Sequence, residues 1–196
     1  NDGLDNLSAS IPVLFRSDGE GSGMHHKFMS IDADHADIAW LWTGSTNWTQ
    51  NGLFDDYNNM VFIQDQALAL AYRTEFEEMW GSAGPQPDAA NSKFGADKSD
   101  NTPHSFNVDG VAIECYFSPS DGTTSRIVNA INEADNSVRA ALFAFTNEDI
   151  GNALLNAHQR PGTIVQVDLE DAIYPGTEGW YLESNGVDVA THNTDD

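Results

Sequence analysis

The sequence predicts an α/β fold, a mixed β-sheet layered between helices. Two observations lead to this prediction. Apolar runs of strand length alternate along the 196 residues with stretches in which apolar side chains recur at helical spacing. Turns rich in glycine, proline and asparagine separate these segments. A chain that alternates strands and helices buries its apolar faces by stacking helices against a sheet.

The N-terminal part of the chain holds several apolar runs and one long amphipathic stretch. The apolar runs predict strands at 11–15, 24–32, 38–43 and 58–63. Asp65 is placed to cap a helix that ends near Trp80. The apolar residues on one side of this helix are expected to pack into the core; they are Leu68, Tyr72, Phe76 and Met79.

The composition changes at 81–105, where glycine, proline, asparagine and aspartate dominate and a linker is predicted. Regular patterns then resume. Strands are predicted at 111–117, 138–145, 163–169 and 187–190. Helices are predicted at 123–134, from an Asn147 cap to the stop at Pro161-Gly162, and at 176–184.

The chain is strongly acidic, with 31 acidic against 8 basic residues and a formal net charge of −23. Binding to a nucleic-acid backbone needs several Lys and Arg contacts, and the sequence has no basic patch to supply them. Acidic, lysine-poor surfaces suit concentrated salt, because screening removes the self-repulsion. We therefore expect a halophilic bacterial or archaeal source. The compartment stays open, a secreted or periplasmic location being compatible with this composition.

The remaining composition excludes several classes of protein. A single cysteine, Cys115, leaves no internal disulfide and is expected to be a small buried residue. The histidines outside the motif described below show no ligand spacing, so neither a metal nor a cofactor is expected. No apolar run reaches membrane-spanning length, and a soluble chain is expected.

Residues that carry chemistry concentrate in the segment 24–32 and in the turn after the next predicted strand. Alternate side chains of an extended segment share a face, so His25 and Lys27 are expected to project together. An imidazole is a nucleophile and proton carrier near neutral pH, and an ammonium group beside it stabilises negative charge on the group under attack. Ser45 and Asn47 are also two positions apart, so their side chains are expected to project to one side. They offer a hydroxyl and an amide to phosphoryl oxygens.

The distribution of lysine favours the same segment. The three lysines are Lys27, Lys93 and Lys98, and the last two fall in the predicted linker. Lys27 is thus the only lysine in a predicted regular element. Because a structural lysine is more often on the surface, its place in an apolar strand favours a chemical role.

The spacing H-x-K-x-x-x-x-D, here His25, Lys27 and Asp32, followed by G-S-x-N at 44–47, resembles the HKD signature of the phospholipase D superfamily. The resemblance implies phosphodiester cleavage in two steps. One histidine attacks phosphorus to give a phosphohistidine, while a second histidine protonates the leaving group and then activates water or an acceptor alcohol. The resemblance implies no metal or other cofactor.

The resemblance also implies a role for each matching residue. His25 is the nucleophile or the acid–base partner. Lys27 and Asn47 hold phosphate oxygens, and Ser45 assists them. Asp32 completes the catalytic pattern as a supporting group.

Two positions depart from the family pattern or leave a role open. Eleven residues separate Asp32 from Gly44, about five more than usual, and the extra residues 33–37 predict a longer hairpin loop between paired strands. Asn59 matches a family position that often follows an acidic residue, and is a candidate support. Because Asn58 precedes it here, the carboxylate that orients His25 is left open.

The order of the segments is inverted relative to the family unit. Residues 1–80 resemble the C-terminal half of a phospholipase D-like unit, 81–105 a linker, and 106–196 the N-terminal half of a second unit. This order is explained most simply by a tandem enzyme, of which the sequence contains the end of the first copy followed by the start of the second. A circularly permuted single unit is the alternative. In both cases the second catalytic histidine is expected from outside this segment, from the same longer chain or from a homodimer partner.

The resemblance favours a phosphodiesterase that hydrolyses or transphosphatidylates phospholipid headgroups, with a phospholipid or another phosphodiester as substrate. Cardiolipin-synthase-like phosphatidyl transfer and an HKD nuclease are the alternatives among enzymes. A non-catalytic phosphate-binding scaffold is the alternative of another class, because one H-x-K alone does not make a complete centre.

Overall fold

The computed structural model of the chain describes residues 10–14, 23–170 and 173–192, and it confirms the α/β class. The chain divides into two compact units, Asn1–Asp121 and Gly122–Asp196. The segment 81–105 therefore belongs to the first unit. The assignment of the two parts as halves of phospholipase D-like units stays a prediction.

The first unit contains an antiparallel three-stranded sheet and a separate hairpin. Its sheet is formed by β1 (Phe28–Ile31), β2 (Trp40–Gly44) and β3 (Met60–Ile63), in the order β1-β2-β3. Its helices are α1 (Gln50–Phe54) and α2 (Gln66–Trp80), and its hairpin is β4 (Ser105–Val108) with β5 (Val111–Glu114). The register pairs Phe28 with Thr43 and, on the other side of β2, Gly44 with Met60.

Helix α2 begins and ends where the sequence predicts. Asp65 caps it by accepting a hydrogen bond from the Leu68 backbone N–H at 2.8 Å. Gly81 ends it in the left-handed region, with φ 80°, and a Cβ there would lie 2.0 Å from the Asp88 carbonyl oxygen. The helix packs on the first strand, where the Ser30 hydroxyl donates to the Ala69 carbonyl at 2.7 Å.

The core of the first unit joins the sheet, α2 and the hairpin. Its buried members are Leu41, Leu68, Cys115 and Phe117. The burial of Cys115 is thus confirmed. The predicted apolar stripe of α2 is wrong at one position, because Phe76 is 43% exposed while Glu75 is 1% exposed.

The long loop between β1 and β2 leaves the two strands paired, as predicted. The loop packs through small residues, because Ala33 and Ala39 form a buried cluster with Ala69 of α2. The Gln66 side-chain amide donates to the Ala33 carbonyl at 3.1 Å. The additional residues are therefore accommodated against α2 without a shift of register.

The second unit is built around a parallel sheet. Its elements are α3 (Thr123–Glu133), β6 (Ser137–Leu142), α4 (Glu148–His158), β7 (Ile164–Leu169), α5 (Glu178–Ser184) and β8 (Asp188–Thr191), with the strands in the order β6-β7-β8. Asn147 caps α4 by accepting from the Ile150 N–H at 3.1 Å, as predicted. The central strand β7 supplies the middle of the core through Val165, Val167 and Leu169.

In the first unit one predicted strand is not observed among the described residues, and two elements were not predicted. Residues 11–14 form no strand, and Phe15 lies outside the described residues. The short helix α1 and strand β4 were not predicted, because five and four residues give too little periodicity.

Among the described residues, no helix is both long and apolar enough to span a bilayer.

Candidate active site

The pairing of β1 with β2 brings the two parts of the motif to one end of the sheet. Because the strands are antiparallel and Phe28 pairs with Thr43, the residues before β1 lie beside the residues after β2. The Thr43 hydroxyl donates to the Lys27 carbonyl at 3.2 Å and extends this contact beyond the ladder. The segment with His25 and Lys27 therefore lies beside the turn that begins at Ser45.

His25 and Lys27 lie in the extended approach to β1 and not within the strand itself. The His25 side chain is exposed and Lys27 is partly buried. The Lys27 ammonium group donates to the His25 carbonyl at 2.9 Å, so this cation is held against the backbone of the residue two positions before it. Burial lowers the pKa of Lys27 from its usual value. An imidazole open to solvent and a tethered cation are the groups that attack on a phosphodiester requires.

The Ser45 turn is fixed by the start of β3. The Ser45 hydroxyl donates to the Asn58 side-chain carbonyl at 2.8 Å and accepts from the Asn59 backbone N–H at 3.0 Å. The Ser45 N–H donates to the Asn59 carbonyl at 3.0 Å. Asn59 thus supports the turn through its backbone, and Asn58 supports it through its side chain. A Cβ on Gly44 would lie 2.2 Å from the Asn59 carbonyl oxygen, which explains the glycine of the G-S-x-N pattern.

Asn47 follows this turn with an exposed side chain. Thr46, between the two predicted phosphate ligands, is 1% exposed and donates to the Asn59 carbonyl at 3.2 Å. The backbone of Asn47 is approached closely by α1, since a Cβ on Gly52 would lie 2.3 Å from the Asn47 carbonyl oxygen. The inward Thr46 anchors the turn, while Ser45 and Asn47 lie on its exposed side.

Asp32 lies at the opposite end of β1 from His25. It adopts φ 48° and begins the hairpin turn, in which its carbonyl accepts from the His35 N–H at 2.9 Å. The length of the strand, about 20 Å with its flanking residues, separates the two side chains. The structure therefore does not bring Asp32 to the other motif residues, and its supporting role stays a prediction.

His26 points into the unit, on the opposite side from its two neighbours. Its Nε2 lies 3.3 Å from Oε1 of Glu75, and its ring packs against Phe28 and Phe117 at centroid distances of 5.9 and 6.0 Å. Burial, and then the positive charges of Lys98 and Lys27, lower the pKa of His26 to about 4. His26 is therefore neutral at physiological pH.

Lys98, placed by the sequence in a polar linker, is a buried residue of this neighbourhood. Its side chain is 3% exposed and its Nζ contacts Oε1 of Glu75, which is 1% exposed. The same ammonium group donates to the Ser118 carbonyl at 3.0 Å and lies 5.8 Å from the centre of the Phe117 ring. Burial raises the pKa of Glu75, and Lys98 opposes that shift.

One further cluster has the composition of a metal site. Ligand atoms of Asp100, His104 and Asp121 all lie within 4.8 Å of one another. Two of these groups also have protein partners: His104 Nδ1 lies 2.9 Å from the Cys115 carbonyl, and Asp121 accepts from the Phe117 N–H at 2.8 Å. These contacts account for the arrangement, which the histidine spacing did not predict.

The buried pair of Glu75 and Lys98 was not predicted from the sequence, although two signals pointed to it. Glu75 occupies a position that the apolar stripe of α2 should fill, seven residues after Leu68 and four before Met79. Lys98 is one of only three lysines, and the surrounding glycine and aspartate residues concealed its burial. A charged residue on a core face calls for a partner, and the partner here is Lys98.

Comparison with known proteins identifies the segment that contains the motif. The family described as "Cardiolipin synthase, PLD-like domain" matches residues 5–80. Proteins named mitochondrial cardiolipin hydrolase are similar to part of this chain. The protein from Xenopus laevis is 33% identical over 76 residues, which are 39% of this chain and 34% of the relative. The Homo sapiens protein is 31% identical over 73 residues, 37% of this chain and 27% of the relative.

A relative from Chlamydomonas reinhardtii is 29% identical over 68 residues, 35% of this chain and 28% of the relative. The chain thus spans about a quarter to a third of the length of the curated relatives it matches. The family match includes the exposed histidine, the tethered lysine and the anchored Gly-Ser turn. Residues 5–80 of this chain are thus similar to the PLD-like domain that this family model describes, and to part of the cardiolipin hydrolases.

Proposed function

We propose that this chain supplies one histidine centre of a phosphodiesterase that hydrolyses phospholipid headgroups through a phosphohistidine intermediate. The observation that carries the proposal is the register of β1 and β2, which places His25 and Lys27 beside the Ser45 turn. The family match of residues 5–80 supports the same class of reaction.

Each motif residue has a task that fits its surroundings. His25 is the nucleophile or the acid–base partner, because its ring is exposed. Lys27 and Asn47 hold the phosphoryl oxygens as charge builds on them. Ser45 has its hydroxyl engaged by Asn58 and Asn59, so it acts mainly by fixing the direction of the turn.

The surroundings favour a lipid over a nucleic acid. The net charge of −23 opposes the approach of a polyanion. Large apolar side chains follow Asn47 on the surface: Trp48, Leu53, Phe54 and Tyr57 are 60%, 51%, 73% and 96% exposed. Exposed aromatic residues beside a phosphate site suit a substrate that carries acyl chains.

The complete centre includes a second histidine from outside this segment. Either further residues of the same polypeptide or a homodimer partner would supply it. The first histidine forms the bond to phosphorus, and the second gives a proton to the departing alcohol. The second then takes a proton from water, whose oxygen attacks phosphorus and releases the first histidine.

The test is hydrolysis by the natural full-length protein that contains this chain. Three substrates separate the options: phosphatidylcholine for headgroup release, bis(4-nitrophenyl) phosphate for generic phosphodiesters, and DNA. We expect hydrolysis of the first two, and a loss of at least about 10³-fold in His25→Asn. His35→Asn is the matched control, because this exposed histidine lies in the hairpin loop. Cleavage of DNA alone, or full activity of His25→Asn, would contradict the proposal.

Phosphatidyl transfer is a second candidate, favoured by the description of the matching family as a cardiolipin synthase. It uses the same phosphohistidine but an alcohol in place of water. Adding glycerol or phosphatidylglycerol to the phospholipid assay distinguishes the two reactions. A transferase gives a new phospholipid at the expense of free phosphatidic acid. A protein inactive in both assays that binds inorganic phosphate would be the scaffold.

A further inference from the structure

We infer that the buried pair of Glu75 and Lys98 holds the His26 ring and thereby fixes the direction in which His25 and Lys27 face the substrate. The inference deepens the proposed function, on which it rests, and it assigns roles to three positioning residues. None of the three is expected to touch the reacting phosphate.

Side chains alternate along the extended segment that contains His25, His26 and Lys27. Successive side chains of an extended chain point to opposite sides, so the side on which His26 is held determines the side taken by its two neighbours. His26 lies inside, against Phe28, Phe117 and Glu75, while His25 is exposed. This segment precedes the β1 ladder, and β2 holds it through the bond from Thr43 to the Lys27 carbonyl. The contact of His26 with Glu75 adds a second hold at the next residue towards the N-terminus.

Glu75 and Lys98 form an ion pair that is buried within the first unit. A carboxylate removed from water is unfavourable, and well-packed apolar residues usually stabilise a core at least as well as a buried ion pair. Glu75 is nevertheless 1% exposed and faces Lys98, which is 3% exposed. The pair gives His26 a polar partner at 3.3 Å that an apolar residue would not give. A positioning role explains the presence of the pair.

His26 is neutral at physiological pH. The ammonium group of Lys98 balances the negative charge of Glu75, so the carboxylate does not favour a protonated His26 imidazole. The charged and titratable groups around His26 and Glu75 are Lys98, Lys27, His25, Glu78, Asp121, Tyr72 and Cys115. The ammonium groups of Lys98 and Lys27 oppose protonation of His26, so its ring stays neutral and is held by its contact with Glu75.

Four variants of the natural full-length protein test the inference. Lys98→Met removes the cation, and Glu75→Gln removes the anion. Glu75→Gln/Lys98→Met removes both charges and keeps the volume, and so covers the case in which a single variant fails to fold. Lys93→Met is the matched control, because Lys93 also joins the segment 81–105 to α2, through Glu78 at 3.4 Å, and is 49% exposed.

The first readout is the pKa of His26, which is measured by NMR titration of its imidazole. In Lys98→Met the carboxylate of Glu75 remains and His26 becomes its only close partner, so the pKa of His26 should rise from about 4 by at least about one unit. Lys93→Met should leave it unchanged. A pKa of His26 that does not move in Lys98→Met would overturn the inference.

The second readout is phosphodiester hydrolysis at equal thermal stability. A small misdirection of reacting groups costs about 10- to 100-fold in kcat, so Lys98→Met and Glu75→Gln should lose that much with little change in KM. The double variant should recover part of it, because neither charge is then buried without its partner and the amide oxygen introduced by Glu75→Gln can still accept a hydrogen bond from His26. If the wild type is active and both Lys98→Met and Glu75→Gln keep its full activity, the inference is overturned while the proposed function stands. An inactive wild type would overturn the proposed function, and the pKa readout would still decide the contact.

Discussion

Replacing Gly44 by alanine tests how closely the motif turn is packed against β3. The Cβ of Gly44→Ala would lie 2.2 Å from the Asn59 carbonyl oxygen and 2.8 Å from the Met60 Cα. A carbon and a carbonyl oxygen normally approach to about 3.3 Å, so the overlap is about 1 Å. Both obstacles are backbone atoms, so no side-chain rotation relieves the clash and β3 must move. Overpacking of this kind costs about 3 kcal/mol.

The assay is urea denaturation, in which tryptophan fluorescence reports the unfolded fraction. With a slope of about 2 kcal/mol/M, a loss of about 3 kcal/mol lowers the urea midpoint by about 1.5 M. Gly110→Ala is the matched control in the β4–β5 hairpin. It has φ 88° and open space around the new Cβ, so only the left-handed strain of about 1 kcal/mol applies. Equal midpoints for the two variants, or an unchanged midpoint for Gly44→Ala, would refute the close packing of the turn on β3.

Three further predictions address charge, pH and the thiol. Raising the salt from about 0.1 M to about 1 M shortens the screening length from about 10 Å to about 3 Å, so with a net charge of −23 the melting temperature should rise; a fall would contradict the halophilic interpretation. Burial lowers the pKa of His26 from 6.5 to about 4, so in that interval the unfolded chain binds a proton that the native protein does not, and stability should rise with pH. His26→Phe should make this rise shallower in acid denaturation series, and an equal slope would argue against its burial. Burial raises the pKa of the Cys115 thiol to about 11, so a thiol reagent at pH 8 should label it only after denaturation, and rapid labelling of the native protein would contradict the structure.

The elements that the sequence predicted well have strong local signals. Asp65 and Asn147 cap their helices as expected, because each side chain satisfies a backbone N–H that the helix itself leaves unpaired. The pairing of the two motif strands was also predictable. Its basis is the apolar character of both segments, and the insertion of residues 33–37 does not disturb it.

The parts that were not predictable depend on long-range contacts. The burial of Lys98 follows from its contact with Glu75, which is 23 positions earlier and on another element, and no local pattern encodes that pairing. The segment 81–105 has the composition of a linker but is held to α2 by hydrogen bonds such as that from the Ser99 N–H to Glu78 at 3.1 Å. The positions of Asp32 and Asn59 likewise depend on which end of a strand each occupies.

The most direct test of the account is whether one oxyanion contacts both parts of the motif at once. Tungstate, a stable mimic of phosphate, is titrated into the protein while NMR follows the His25 imidazole and the Asn47 side-chain amide. The account predicts that both signals shift with a single dissociation constant, that Lys27→Met weakens binding, and that the His35 signal does not move. Signals of His25 and Asn47 that stay unchanged, or that titrate with different constants, would contradict a shared phosphate site at this end of the sheet.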